Sequence, residues 1–281
     1  MKKIFVITLV SVMLLQCKKE NNSPVSNVQE EEEHLDYAYG THYQQTMDVY
    51  IPEGVRDTMT MIVMVHGGSW VSRDKSDFLA WYNYEKQQGQ FALANINYRL
   101  DTPQTVPIPM QTDDIGMAIQ SMEDDFGIRS GKIVMIGMSA GGHLALLYAY
   151  KYDLDRKVKV VINMVGPADF TDPSYHQGAW ANIFPYIEAI FNAPYAGNEN
   201  YYQDVSPYYF VDNQSPATIS GYAGMDTIVP YTNGERIHQK LQQFNIPEEY
   251  VFYPQSGHVF NQQDGLDFFW RARTFMLQNL Q

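Results

Sequence analysis

Cysteine is almost missing from this chain. Its 281 residues hold one, Cys17, so no internal disulfide can form and a paired Cys/His metal site has no second thiolate. Basic residues are scarce too. Nineteen Lys and Arg against 32 Asp and Glu give a formal net charge of −13. With few basic clusters to neutralise phosphates, nucleic acid is excluded as a partner and an anionic polymer substrate is disfavoured. There is no internal repeat. The apolar run from Ile4 to Leu15 falls short of the roughly 20 residues a membrane-spanning helix needs. What is plentiful is apolar and aromatic surface. The chain is 45% hydrophobic with 21 tyrosines, enough for one large α/β domain or two small ones.

The N-terminus reads as an export signal. Lys2-Lys3, the apolar run and then Cys17 make residues 1–16 a signal peptide. Leu14-Leu15-Gln16-Cys17 is similar to the box in which a bacterial lipoprotein is cleaved and its cysteine lipidated. Gln16 stands where that box usually carries a small residue. Lipid on Cys17 would anchor the chain to a membrane, which predicts an exported cell-envelope protein, periplasmic or at the cell surface. Residues 17–36 lack periodicity and carry Glu30 to Glu33, the composition of a disordered acidic tether. The folded domain is expected over residues 37–281.

Within it, Tyr37-Ala-Tyr39 and Thr46 to Ile51 predict an antiparallel hairpin at a sheet edge. Met61-Ile-Val-Met-Val65, Phe91 to Asn97 and Val158 to Val165 are apolar on both faces, as parallel strands covered by helices must be. Helices are predicted around 77–88, over Asp113 to Phe126 with Thr112 or Asp113 as cap, after Ser139, over Gly234 to Phe244 and over Asp264 to Leu280. Ala217 to Ala223 and Glu249 to Tyr253 complete the strands. Alternating strands and helices mean an α/β fold with a mostly parallel sheet. Residues 169–216 break the pattern as an aromatic-rich, lid-like insertion without regular periodicity. A stretch that long is usually functional.

The sheet's most informative strand is Lys132-Ile-Val-Met-Ile-Gly137-Met138-Ser139-Ala140-Gly141-Gly142, an apolar run turning into a helix through Gly-x-Ser-x-Gly. In that setting Ser139 sits on a strained turn with its hydroxyl lifted from the sheet edge, placed for nucleophilic attack. A serine nucleophile needs a base and a group to orient it. Among seven histidines, His258 lies between the last strand and last helix, at the C-terminal edge where open α/β sheets form sites. For the acid, Asp226 follows the preceding strand, and Asp169 is a competitor one strand earlier. The order Ser139, Asp226, His258 is that of the fold family in which this serine turn occurs, and it favours Asp226. His66-Gly67-Gly68-Ser69-Trp70 ends a central strand. The backbone N–H groups of this Gly67-Gly68-Ser69 turn, with that of Ala140, form the candidate oxyanion hole.

Together these residues resemble the α/β-hydrolase esterases of the hormone-sensitive-lipase and feruloyl/acetyl-esterase type. The resemblance runs from about Thr46 to the C-terminus. It rests on Asp48-Val-Tyr-Ile-Pro52, the His66–Trp70 turn, Asn97-Tyr-Arg-Leu100, Gly137 to Ala145, Ser206-Pro207, Gly224-Met-Asp226 and Gly257-His258. It implies an α/β-hydrolase fold and a carboxylic ester hydrolase without metal or organic cofactor, Ser139 as nucleophile, His258 as base and Asp226 as its orienter. Ser69 replaces the third glycine of the lipase branch, which points to the esterase branch with His-Gly-Gly-x-Trp, shared with arylformamidases. The expected substrate is a small-molecule or oligosaccharide ester, with acetyl or feruloyl groups suggested by export and by aromatics suited to stacking on rings. The alternatives are an arylformamidase-like amidase or a peptidase, and a tethered binding protein without activity.

Overall fold

The structure is a computed structural model that describes residues 28–100, 107–178 and 180–280. The expected signal peptide, Cys17 and most of the expected tether therefore lie outside the described residues. Eight strands form one sheet: β1 (Glu32–Ala38), β2 (Thr46–Ile51), β3 (Met61–Val65), β4 (Ala92–Ile96), β5 (Ile133–Met138), β6 (Val158–Met164), β7 (Ala217–Ala223) and β8 (Glu248–Tyr253). Their order is β1-β2-β4-β3-β5-β6-β7-β8. The β1–β2 and β2–β4 pairs are antiparallel and all the others parallel.

The doubly apolar strands fill two cores. Met61, Val63 and Val65 of β3 face one, and Ile62 and Met64 face the other, all at most 2% exposed. On the first face lie α2 (Pro107–Asp124), α3 (Ala140–Leu147) and α6 (Thr232–Gln243); on the second lie α1 (Leu79–Gln88) and α7 (Gln262–Asn279). Each of these side chains gains about 1.5–3 kcal/mol on full burial, which is why neither face tolerates polar alternation.

Three boundaries differ from the sequence reading. Residues 32–36, expected in the tether, begin strand β1. The glutamates are not idle there: Glu32 pairs with Arg56, and Glu33 Oε2 accepts from Lys86 at 2.5 Å, while Tyr37 packs on Phe126. Helix α2 is already formed at Pro107, six residues before the expected start. Thr112 is consequently inside the helix, donating back to the Ile108 carbonyl at 3.1 Å, and caps nothing. Residues 169–216 are not irregular. They hold α4 (Phe184–Phe191), α5 (Glu199–Asp204) and three short 3₁₀ turns. Phe170, Tyr175, Phe184, Phe191 and Tyr202 are buried there against one another and extend the first core outward over Trp70.

Candidate active site

Ser139 ends up on the turn between β5 and α3 with φ 54° and ψ −123°, a conformation costing about 1–3 kcal/mol for a residue with a side chain. Two close approaches hold it. A Cβ on Gly137 would lie 2.2 Å from the Gly141 carbonyl oxygen, and one on Gly141 would lie 2.1 Å from the Val65 carbonyl oxygen. Both glycines are therefore there so that the first turn of α3 can sit on the strand ends. Gly137→Ala is expected to destabilise the protein by about 3 kcal/mol or more, at or beyond the upper end of ordinary overpacking because the clash is with backbone. A urea unfolding midpoint close to that of the wild type would contradict this packing.

The structure brings together residues from three separate loops. The Ser139 hydroxyl donates to His258 Nε2 at 2.8 Å, and His258 Nδ1–H donates to Asp226 Oδ2 at 2.8 Å. A carboxylate can only accept, so Nδ1 carries the proton and Nε2 is left to receive one from serine. Asp226 is buried, its other oxygen accepting from the backbone N–H of Ile228 at 2.7 Å and of Val229 at 3.0 Å. Its own carbonyl accepts from Trp180 Nε1 at 2.8 Å, tying the insertion to the acid's loop. Asp169 goes elsewhere: itself buried, it accepts from the half-buried Arg236, Nε at 2.8 Å and Nη2 at 2.6 Å, in an ion pair that anchors the insertion to α6.

The glycine turn lies against the serine. A Cβ on Gly67 would be 3.4 Å from the Ser139 Cβ, and Ser69 lines one cleft with Ser139. The Gly68 carbonyl accepts from Val71 N–H, Ser72 N–H and the Ser72 hydroxyl, fixing the loop. Ser69 and Trp70 follow at φ 53° and 63°. Within the described residues the N–H groups of Gly68, Ser69 and Ala140 make no hydrogen bond. They are free donors beside a nucleophile, the requirement for stabilising a developing oxyanion.

Two histidines brace this loop without joining the relay. His66 stacks on Tyr98 at 4.3 Å and donates from Nδ1 to the Gly67 carbonyl at 2.7 Å; burial pushes its pKa down. His143 is fully buried, and burial lowers its pKa to about 4, so it is neutral. Its Nε2–H donates to the Val205 carbonyl at 2.7 Å while Nδ1 accepts from Trp70 Nε1 at 3.2 Å, clamping the oxyanion loop to the insertion.

Sequence reasoning missed what closes the other side. Ile183, Ile187 and Ile190 form an i, i+4, i+7 stripe along α4 and its start, and with Ile228 and Val229 they wall the cleft at Ser139. That stripe was a readable helical signal hidden among aromatics. The cleft has about 30 Å³ of free space, room for about two water-sized groups.

Residues 47–241 match the BD-FAE family model. The chain is similar to Dipeptidyl aminopeptidase BIII of Pseudoxanthomonas mexicana, 23% identical over 71% of this chain and 30% of that protein. It is also similar to Esterase LipC of Mycobacterium tuberculosis, 24% identical over 81% of this chain and 60% of that one. The chain thus spans less than two thirds of either relative's length. Among solved structures, a truncated form of a carbohydrate esterase from gut microbiota superposes with a TM-score of 0.66 at 20% identity, over 89% of this chain and 98% of that one. The fold is that of an α/β-hydrolase.

Proposed function

The chain belongs to the BD-FAE family, and on that premise we propose that it hydrolyses short-chain carboxylic esters through an acyl-enzyme on Ser139. The observation that carries this reading is the unbroken relay from Ser139 through His258 to Asp226, with 2.8 Å at both links. His258 Nε2 takes the serine proton as Oγ attacks the ester carbonyl. The oxygen turns towards the N–H groups of Gly68 or Ser69 and of Ala140, each such donor being worth about 2.7–4 kcal/mol in the barrier. As the tetrahedral intermediate collapses, the C–O bond to the alcohol breaks and His258 returns the proton to the leaving oxygen. Water, deprotonated by the same imidazole, then releases the acid and restores the serine.

The cleft beside Ser139 sets the acyl length. Its free space of about 30 Å³ supports an acetyl group over a feruloyl chain. The wild type is expected to turn over p-nitrophenyl acetate well ahead of the hexanoate. Each methylene accommodated or excluded is worth about 1–3 kcal/mol. Ile187→Ala removes three carbons from the wall and is expected to move the hexanoate-to-acetate ratio of kcat/KM up by about tenfold or more. An unchanged ratio in the folded variant would place the acyl group elsewhere. A peptidase reading has the aminopeptidase likeness behind it, but that likeness covers only 30% of that protein. Dipeptide amides turned over faster than acetate esters would establish it instead.

A further inference from the structure

A larger cavity lies on the other face of the sheet. Between α1 and α7 a groove of about 480 Å³ opens, within the roughly 300–1,000 Å³ typical of small-molecule sites. Met138 and Met164 line it together with Trp81 and Tyr84 of α1 and Phe269 and Trp270 of α7. The rings meet edge to face, Trp81 with Phe269 at 4.7 Å and Tyr84 with Trp270 at 5.6 Å. At the rim, Leu266 and Trp270 are 54% and 51% exposed. The one charged lining residue, Asp77, accepts from Arg73 at 3.3 Å. Contiguous exposed apolar surface of this kind marks a binding site more often than an accident of packing.

The groove has two backbone neighbours of the nucleophile among its lining residues. Met138 is bonded to Ser139, and the Met164 carbonyl accepts from the Ser139 N–H at 2.8 Å. It is also on the side of the base. The His258 loop runs directly into α7, with Phe260 packed on Phe268 at 5.8 Å, and Gly265 and Leu266 of the first turns line the groove. In the hydrolysis proposed above the alcohol leaves with a proton from His258, towards that loop. The acyl cleft lies on the opposite side, under α4.

We propose that this groove binds the alcohol part of the ester, and that this part is an apolar, aryl-bearing alcohol. The inference rests on Ser139 acting as nucleophile. Ring edges and thioethers receive an aromatic face well. A sugar would bring several hydroxyls to a lining that is mostly hydrocarbon, with Asp77 its one charged group, and most of them would lose their water without gaining a partner. The two cavities together then select an ester with unequal halves, a small acid and a bulky, flat alcohol.

The test separates binding from chemistry. Calorimetric titration of 2-naphthol into Ser139→Ala protein should give saturable binding, weakened at least fivefold when Trp270→Ala is added. In the active enzyme the ratio of KM for 2-naphthyl acetate to KM for ethyl acetate should rise by a similar factor in Trp270→Ala. Leu266→Asp, also at the exposed rim, should do the same, and thermal melts report whether each variant is folded. Unchanged binding and an unchanged KM ratio in folded variants would overturn the proposal. So would a lower KM for acetylated xylan fragments than for 2-naphthyl acetate, or loss of affinity for ethyl 2-naphthoate alone. Failure of the ester reading looks different: Ser139→Ala would then hydrolyse ethyl acetate at the wild-type rate, whatever the calorimetry shows.

Discussion

Ser139→Ala is expected to lower kcat on p-nitrophenyl acetate by about a millionfold, the scale of loss when a nucleophile is removed from residues that act as a unit. The fold should be untouched. Alanine keeps the Cβ, the donation of residue 139 N–H to the Met164 carbonyl and the acceptance from His143 N–H at 3.0 Å. It pays the same backbone strain at φ 54°. What disappears is a hydroxyl whose partner is His258 Nε2. The residual rate should still exceed that of the uncatalysed reaction, because the donors of the glycine turn remain in place. A fluorophosphonate probe provides a second readout that needs no substrate: it should label the wild type and leave the variant unlabelled. Equal hydrolysis by both proteins would reject the nucleophile. A wild type that neither labels nor hydrolyses any ester would instead make the chain a binding protein on an enzyme's fold.

The parts of this site that could be read in the sequence are those where one local pattern has one structural meaning. Gly137-x-Ser139-x-Gly141 after an apolar run leaves little choice, because both glycines answer to backbone atoms at 2.2 and 2.1 Å. The doubly apolar strands were legible for the same reason, since each has a helix layer on both sides. Competition between patterns hid the rest. Glu30 to Glu33 has the composition of a solvated tether, and pairing with β2, backed by Arg56 and Lys86 more than twenty and fifty residues on, turns part of it into a strand. Thr112 has the chemistry of a cap, but the helix already runs through the residues before it and turns its hydroxyl back to the Ile108 carbonyl. The insertion's segments are three to eight residues long, so that the one period they show, Ile183, Ile187 and Ile190, is masked by the aromatics whose ring-on-ring packing holds them. The groove was invisible because its walls come from helices about 180 residues apart in the chain. Leu266 and Trp270, spaced i, i+4, stay exposed because α7 turns a different stripe, Phe268, Ala272 and Phe275, inward.

Asp226→Asn should cost about 10⁴ in kcat with little change in geometry, the magnitude expected when the base is left in the wrong tautomer. The reason lies in the two backbone donors behind the carboxylate. The Ile228 and Val229 N–H groups both point at Oδ1, so an asparagine must present its carbonyl oxygen there or leave two buried donors unpaired. Its NH₂ then faces His258 Nδ1, which can answer only as an acceptor. The imidazole proton moves to Nε2, and Nε2 can no longer take the proton from Ser139. Asp169→Asn is the matched comparison. It weakens the pair with Arg236 and should appear in the melting temperature, because Asp169 makes no contact with His258. Rates that fall by about 10⁴ in the Asp169 variant and hold in the Asp226 variant would exchange the two acids. If Asp226→Asn alone is slow, raising the pH should recover part of its rate, since a serine proton can then be removed by hydroxide.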